Sequence, residues 1–245
     1  MHSFESLPSK IVGRLLREHA WLRGASDGEI AKLAAASKVR HFQAREFLLC
    51  IGSTTDLVFV IESGFVVSTA IDQYGRGYIS NWLGSDAFIN MIPVLDRRPA
   101  FYDYVAKTKV TAYAIDGNAF RSLVETNLQV SHQLLQYFCN RARKFQSDIN
   151  GFTFSSQLNR CAKLFLNLAD SHGTLTPTGT VLNLKISQEE LGEMLGCTRQ
   201  SVNKELGRLE RIGAIAMPAR TRYLILDMEL LRSVARVDPG THASA

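Results

Sequence analysis

Residues 187–215 limit the possible folds of this chain more than any other stretch. They spell two short amphipathic helices around a tight turn. Ser187 stands where it can cap the first helix, with Glu190 three residues on to complete a capping box. Leu191 and Leu195, four apart, give that helix its buried stripe. Gly196 ends it, because glycine enters the left-handed backbone region at little steric cost. Thr198 then caps a second helix whose buried side is Val202, Leu206, Leu209 and Ile212. Its other side carries Arg199, Gln200, Asn203, Lys204 and Arg208. An arginine and a glutamine in the first turn suit the major groove of DNA. Arginine grips guanine, and glutamine grips adenine, through paired hydrogen bonds. Two short apolar runs follow, Ala214-Ile215-Ala216-Met217 and Tyr223-Leu224-Ile225-Leu226, with Pro218-Ala219-Arg220-Thr221-Arg222 between them. They read as the strands and tip of a wing, which makes the whole a winged helix-turn-helix.

Gly196-Cys197-Thr198-Arg199-Gln200-Ser201-Val202-Asn203-Lys204 resembles the recognition-helix motif of the Crp/Fnr superfamily of transcription regulators. Asn159-Arg160-Cys161-Ala162-Lys163-Leu164-Phe165-Leu166-Asn167-Leu168-Ala169 resembles the helix that opens that family's DNA-binding domain. Asp56-Leu57-Val58-Phe59-Val60-Ile61-Glu62-Ser63-Gly64 resembles part of its cyclic-nucleotide-binding-like roll. The resemblance implies an α+β chain: an N-terminal β jelly roll, a long dimerisation helix and a C-terminal winged helix-turn-helix. It also implies a homodimer on a palindromic operator, with double-stranded DNA and RNA polymerase as partners.

The 245 residues suffice for two modest domains, and 46% hydrophobic with 21% charged residues is ordinary globular composition. A net charge of +5 favours a polyanionic partner. Six basic side chains between Cys197 and Arg222 face only Glu205 and Glu210. No apolar stretch approaches the ~20 residues of a membrane span, and the N-terminus has no signal-peptide pattern. The expectation is a cytoplasmic protein with no membrane partner. Cys50, Cys139, Cys161 and Cys197 lie far apart, without the spacing of a disulfide framework or zinc site. The iron–sulfur branch of the family places a cysteine cluster near the N-terminus, and this chain has none there. The six histidines form no metal-ligand pattern. No metal and no cofactor are expected, neither an iron–sulfur cluster nor haem. No nucleophile motif or phosphate-cradling glycine loop is present, Gly75-Arg76-Gly77 reading as a hairpin turn, and the chain is not expected to be an enzyme.

Residues 8–37 read as two short helices. From 39 to 114 the pattern changes to short β-runs, with Gly52, Gly64, Gly75, Gly77 and Gly84 at the turns, as in a double-sheet jelly roll. The family's cyclic-nucleotide binders place a glutamate on the ribose, and an arginine and a serine on the cyclic phosphate. Aligned through Leu95-Asp96-Arg97-Arg98-Pro99, this chain has Met91, Ala100 and Phe101 at those positions. A buried phosphate without its cation costs several kcal/mol, so cyclic AMP in the usual pose is not expected. Arg97 and Arg98 form either a substitute or a solvated turn. Phe88, Met91, Phe101, Tyr102 and Tyr104 either line an apolar pocket for another effector or fill the roll. The resemblance adds Phe145 and Gln146 to that candidate pocket.

One long helix is expected over 124–152. Leu128, Leu135, Ala142 and Ile149 repeat every seven residues, and Phe138, Phe145 and Phe152 form a second track with Ser131. This is the pattern of a parallel coiled-coil seam, while packing on the chain's own roll needs one broad stripe. The resulting organisation is a sensor domain over 1–122, a dimerisation helix over 123–152, a winged helix-turn-helix over 153–236 and a flexible tail over 237–245. Arg199, Gln200, Asn203 and Lys204 are the expected base-reading residues, and Thr198, Ser201, Arg220 and Arg222 the expected phosphate contacts. The alternative is an effector-binding module that acts through a protein partner without binding DNA.

Overall fold

The computed structural model describes residues 7–71 and 77–236, with the side chains of 7–9 and 147–154 outside the description. The Gly75-Arg76 part of the expected hairpin turn, the Ile149 and Phe152 side chains and the expected tail over 237–245 lie outside the described residues. The chain divides into two compact units, Met1–Ala142 and Arg143–Ala245.

The first unit opens with α1 (Leu7–Glu18), a single 3-10 turn (Ala20–Leu22) and α2 (Asp27–Ala35), followed by β1 (Ser37–Phe42), β2 (Phe47–Leu49), β3 (Leu57–Ser63), β4 (Val66–Ile71), β5 (Gly77–Leu83) and β6 (Phe88–Ile89). It continues through α3 (Met91–Asp96), β7 (Asp103–Ala106), β8 (Val110–Asp116), α4 (Gly117–Thr126) and the start of α5 (Leu128–Phe154). The strands make two four-stranded antiparallel sheets, ordered β1-β8-β3-β6 and β2-β7-β4-β5. Leu48, Phe59, Ile61, Val66, Ala106 and Ala112 fill the space between them. The uninterrupted apolar run of β3 has a structural reason: the strand is buried on both faces. Phe59 and Ile61 turn into the roll, while Val58 and Val60 pack outward on Leu16, Trp21, Leu22 and Phe120.

The single long helix expected over 124–152 is two helices. The chain leaves helical geometry at Asn127 (φ −108°, ψ 99°). The Asn127 side chain accepts a hydrogen bond from the N–H of Val130 at 3.0 Å, satisfying a free donor at the start of α5. Its amide also donates to the Gly24 carbonyl and to Glu29, tying the break to the α2 region.

On α5, Val130 and Leu134 are buried in the first unit's core, with Tyr137 and Phe138 packed beside them. Phe138 therefore belongs to the roll's side of the helix, which corrects its assignment to the seam. Leu128, Leu135 and Phe145 remain 85%, 60% and 63% exposed, and Ala142 is exposed as well.

The second unit contains α6 (Gln157–His172), β9 (Gly173–Thr176), β10 (Gly179–Leu182), α7 (Gln188–Leu195), α8 (Arg199–Arg211), β11 (Ile215–Ala219), β12 (Arg222–Ile225) and α9 (Met228–Ala235). Ser156 caps α6, whose Cys161, Phe165 and Leu168 form its buried stripe. Phe165 meets Tyr223 of β12 edge-on, with ring centroids 5.2 Å apart. The wing strands continue into a second hairpin, giving a sheet ordered β11-β12-β10-β9. That second hairpin has no counterpart in the sequence reading.

Candidate nucleic-acid interface

The reader begins with a well-terminated first helix. Ser187 and Glu190 form a reciprocal capping box at the start of α7, and Gly196 ends it in the left-handed region (φ 60°, ψ 40°). A second glycine sets the turn. Gly192 is buried in α7, and a Cβ there would lie 2.7 Å from the Cys197 carbonyl oxygen. That same segment is stitched back by the Cys197 N–H donating to the Gly192 carbonyl at 2.9 Å. The turn can approach α7 this closely only because position 192 has no side chain.

Thr198 caps α8, accepting from the Ser201 N–H at 3.2 Å. Its hydroxyl also donates to the Ser201 hydroxyl at 3.1 Å. The positive end of a 13-residue helix and its free N–H groups are thus presented beside two small hydroxyls, a suitable seat for a phosphate oxygen.

Val202, Glu205, Leu206 and Leu209 are buried, and they fall within roughly 100° of the helix circumference. Arg199, Gln200, Asn203 and Lys204 are exposed and occupy a separate arc of about 140°. The four expected base readers therefore share one outward face. Arg199 and Lys204 form no ion pair among the described residues. Arg208 is different, being drawn to Glu205 at 3.0 Å. Ile212 is 47% exposed at the helix end, so the buried stripe stops at Leu209, a correction to the stripe expected from spacing. Glu205 takes the buried place that spacing did not assign.

Sequence reasoning also missed Gln188. Its Nε2 donates to Asn203 Oδ1 at 3.2 Å, across the turn from α7 to α8. With its oxygen engaged, Asn203 offers its amide donors outward. The two residues are fifteen apart, and no local pattern marks the pair.

In the wing, Arg220 lies in the turn between β11 and β12, and Arg222 is the first residue of β12; both are exposed. The wing is fixed beneath by Tyr223, whose hydroxyl donates to the Ile186 carbonyl at 3.1 Å. Burial pushes that phenol up to about 12.

The aromatic set of the roll does not converge on one surface. Phe88 packs on His19 and Trp21, with centroids 4.6 and 4.9 Å apart, and Met91 is buried in the same cluster. These two are core residues and leave the candidate effector pocket, because the N-terminal helices cover them. Phe101 is exposed and leans on Tyr102 at 5.1 Å. Tyr104 is half-buried against the roll interior, and desolvation pushes its phenol up to about 12. Phe145 and Gln146 are exposed on α5.

Among the described residues, no group of three or more His, Cys, Asp or Glu side chains is placed to hold a metal ion. No described helix is long and apolar enough to cross a membrane.

Residues 159–234 match the family model of the Crp-like helix-turn-helix domain, and residues 39–127 match that of the cyclic nucleotide-binding domain. The chain belongs to the Crp/Fnr superfamily. One relative in this superfamily is the CRP-like cAMP-activated global transcriptional regulator of Mycobacterium tuberculosis. It is 26% identical over 225 residues, covering 92% of this chain and all of the relative. Another is the cAMP-activated global transcriptional regulator Vfr of Pseudomonas aeruginosa, 25% identical over 78% of this chain and 90% of its own. The fold is shared with FixK2 from Bradyrhizobium japonicum, with a TM-score of 0.72 at 14% identity over 82% of this chain and 98% of that one. It is shared too with a CooA mutant from Carboxydothermus hydrogenoformans, with a TM-score of 0.68 at 20% identity over 82% and 89%. This Crp/Fnr member is thus a Crp-like transcription regulator that pairs a cyclic-nucleotide-binding-type roll with a DNA-binding helix-turn-helix.

Proposed function

We propose that the chain is a homodimeric, sequence-specific regulator whose sensor does not hold cyclic AMP in the usual pose. The observation that carries the DNA reading is the outward face of α8. Four polar side chains, two cationic and two amide, stand there beside a capped helix start. In this reading Arg199, Gln200, Asn203 and Lys204 meet base edges. Thr198, Ser201, Arg220 and Arg222 meet phosphates, fixing position while the base contacts carry specificity.

The dimer reading is supported by Leu128, Leu135, Ala142 and Phe145, apolar side chains left facing solvent along α5. Val130, Leu134, Tyr137 and Phe138 make the helix's contacts with the roll, so the exposed stripe is available to a second copy. In domain terms the sensor spans 1–122, the connector 123–152 and the reader 153–236. The regulator works in the cytoplasm, with RNA polymerase as its further partner, and carries no cofactor.

The relatives named as cAMP-activated make cyclic AMP the first ligand to test. Against it stand Met91, buried in the core, and Ala100 and Phe101 where the phosphate's arginine and serine belong. An effector of different chemistry is favoured by Ser68, which is 2% exposed, lies directly opposite Tyr104 in the register, and has a hydroxyl with no partner among the described residues. Buried hydroxyls ordinarily find a partner.

Titration of a labelled DNA duplex against salt tests the DNA reading. Affinity should fall by orders of magnitude between ~50 and ~200 mM salt if several phosphates are neutralised. Salt-independent association, or none, contradicts it. Calorimetry with cyclic AMP tests the sensor: saturable binding that strengthens DNA affinity would overturn that half.

A further inference from the structure

The turn between β2 and β3, the end of α3 and the first turn of α4 enclose a cleft of about 300 Å³. Thr54, Thr55, Arg97, Arg98 and Asn118 are among its walls. Its one acidic wall residue is Asp56, and Arg121 holds both carboxylate oxygens, Nη1 on Oδ1 at 2.5 Å and Nη2 on Oδ2 at 2.8 Å. This pairing holds the Asp56 carboxyl below the usual carboxylate range. The remaining Nη donors of Arg121 go to the Val94 carbonyl and to Asn118 Oδ1. Asn118 is left with amide donors only. Nearby Asp96 is outside the walls and accepts from the Arg98 backbone N–H at 3.1 Å.

Arg97 and Arg98 have exposed guanidinium groups with no side-chain hydrogen bond or ion pair among the described residues, although the charge of Arg97 also acts on Asp56. Arg97 also sits in the left-handed region (φ 57°), where a side chain is disfavoured. The unspent groups around the cleft are therefore two guanidiniums, one amide and the Thr54 hydroxyl. Such a set is rich in donors and carries excess positive charge.

We propose that this cleft binds a small phosphate-bearing molecule, with Arg97 and Arg98 gripping the phosphate and Asn118 and Thr54 fixing its orientation. Guanidinium groups match phosphate oxygens through paired, charge-assisted hydrogen bonds. The volume is at the small end of ligand sites, and the polar walls select a hydrophilic molecule of sugar-phosphate size. Met91, Phe101 and Tyr102 are not among these walls, so the site is separate from the aromatic set discussed above.

Calorimetry on the full chain at fixed ionic strength tests this, with ribose 5-phosphate, inorganic phosphate and ribose as probes. The two phosphates should bind saturably and ribose should not. The double variant Arg97→Gly with Arg98→Ala removes both charges, and glycine tolerates the φ at position 97. It should melt as the wild type does while binding at least about tenfold more weakly. Arg98→Ala alone should give a smaller loss in the same direction. Lys38→Ala with Arg40→Ala, on exposed β1, removes equal charge elsewhere and should leave binding intact. No saturable binding by the wild type, unchanged binding by the Arg97 and Arg98 variants, or equal weakening in the Lys38 and Arg40 control would each overturn the proposal.

Discussion

In the proposed reading Arg199 and Gln200 have a different task from Thr198 and Ser201, although all four lie at the capped start of α8. A base-edge contact discriminates, so Arg199→Ala should cost about 1–3 kcal/mol on the preferred site and relax specificity at one base pair. Ser201→Ala should weaken all sequences about equally. Gln200→Glu replaces an adenine-type reader with an acceptor suited to cytosine, and the preferred base at that position should shift. Binding measured on a panel of single-base variants separates these outcomes. The identities of these side chains were legible in the sequence because helical periodicity alone puts them on the face opposite Val202, Leu206 and Leu209. The link from Gln188 to Asn203 was not, since it depends on how the turn folds α7 over α8. Gln188→Ala should leave stability unchanged and alter only the base preference attributable to Asn203. Titration behaviour also belongs to single residues. Tyr223 and Tyr104 are both pushed up to about 12 by burial, from an ordinary value near 10. The folded state keeps protons that the unfolded state has released, so stability present below pH ~10 should be lost as pH rises towards about 12. Urea midpoints across that range test this, and Tyr223→Phe should flatten the decline while forfeiting about 1 kcal/mol for the lost bond to Ile186.

Helices and strands were legible where one face is buried and one is wet. The capping box of α7, the left-handed Gly196 and the Thr198 cap follow from side-chain chemistry within four residues, and the structure places all three as the sequence suggests. Two elements escaped for physical reasons. The break between α4 and α5 contains neither proline nor glycine; it is made by Asn127 bonding to Gly24 and Glu29, residues about a hundred positions away. The hairpin of β9 and β10 leaves no residue of β9 buried, so it lacks the apolar alternation that marks a strand. Phe88 and Met91 left the candidate effector set for a related reason, since an aromatic pattern cannot say that α1 and the 3-10 turn cover them. Two substitutions test how these elements are held. Asn127→Ala removes a cap and its links to α2, and should cost about 1 kcal/mol or more by thermal melting. Gly192→Ala should improve helix propensity yet destabilise the second unit, because its Cβ meets the Cys197 carbonyl. A stabilised variant would show that the turn relaxes freely.

At the scale of the whole molecule, the proposed homodimer gives a use to the exposed apolar stripe of α5 and to the outward face of α8. Two readers related by a two-fold axis can enter successive major grooves ~34 Å apart. Leu135→Glu places a charge on the stripe without touching the roll's core. It should convert a dimer to a monomer in sedimentation while leaving the melting of the roll intact, and DNA affinity should fall with it. The central claim is tested most directly by selection of random double-stranded DNA with the purified full chain, once alone and once with a small-molecule extract of the source cells. The account predicts enrichment of a palindrome whose half-sites lie one helical turn apart, in at least one of the two conditions. An unsymmetrical motif would contradict the dimer, and the absence of any enriched sequence in both conditions would contradict the DNA-reading function itself.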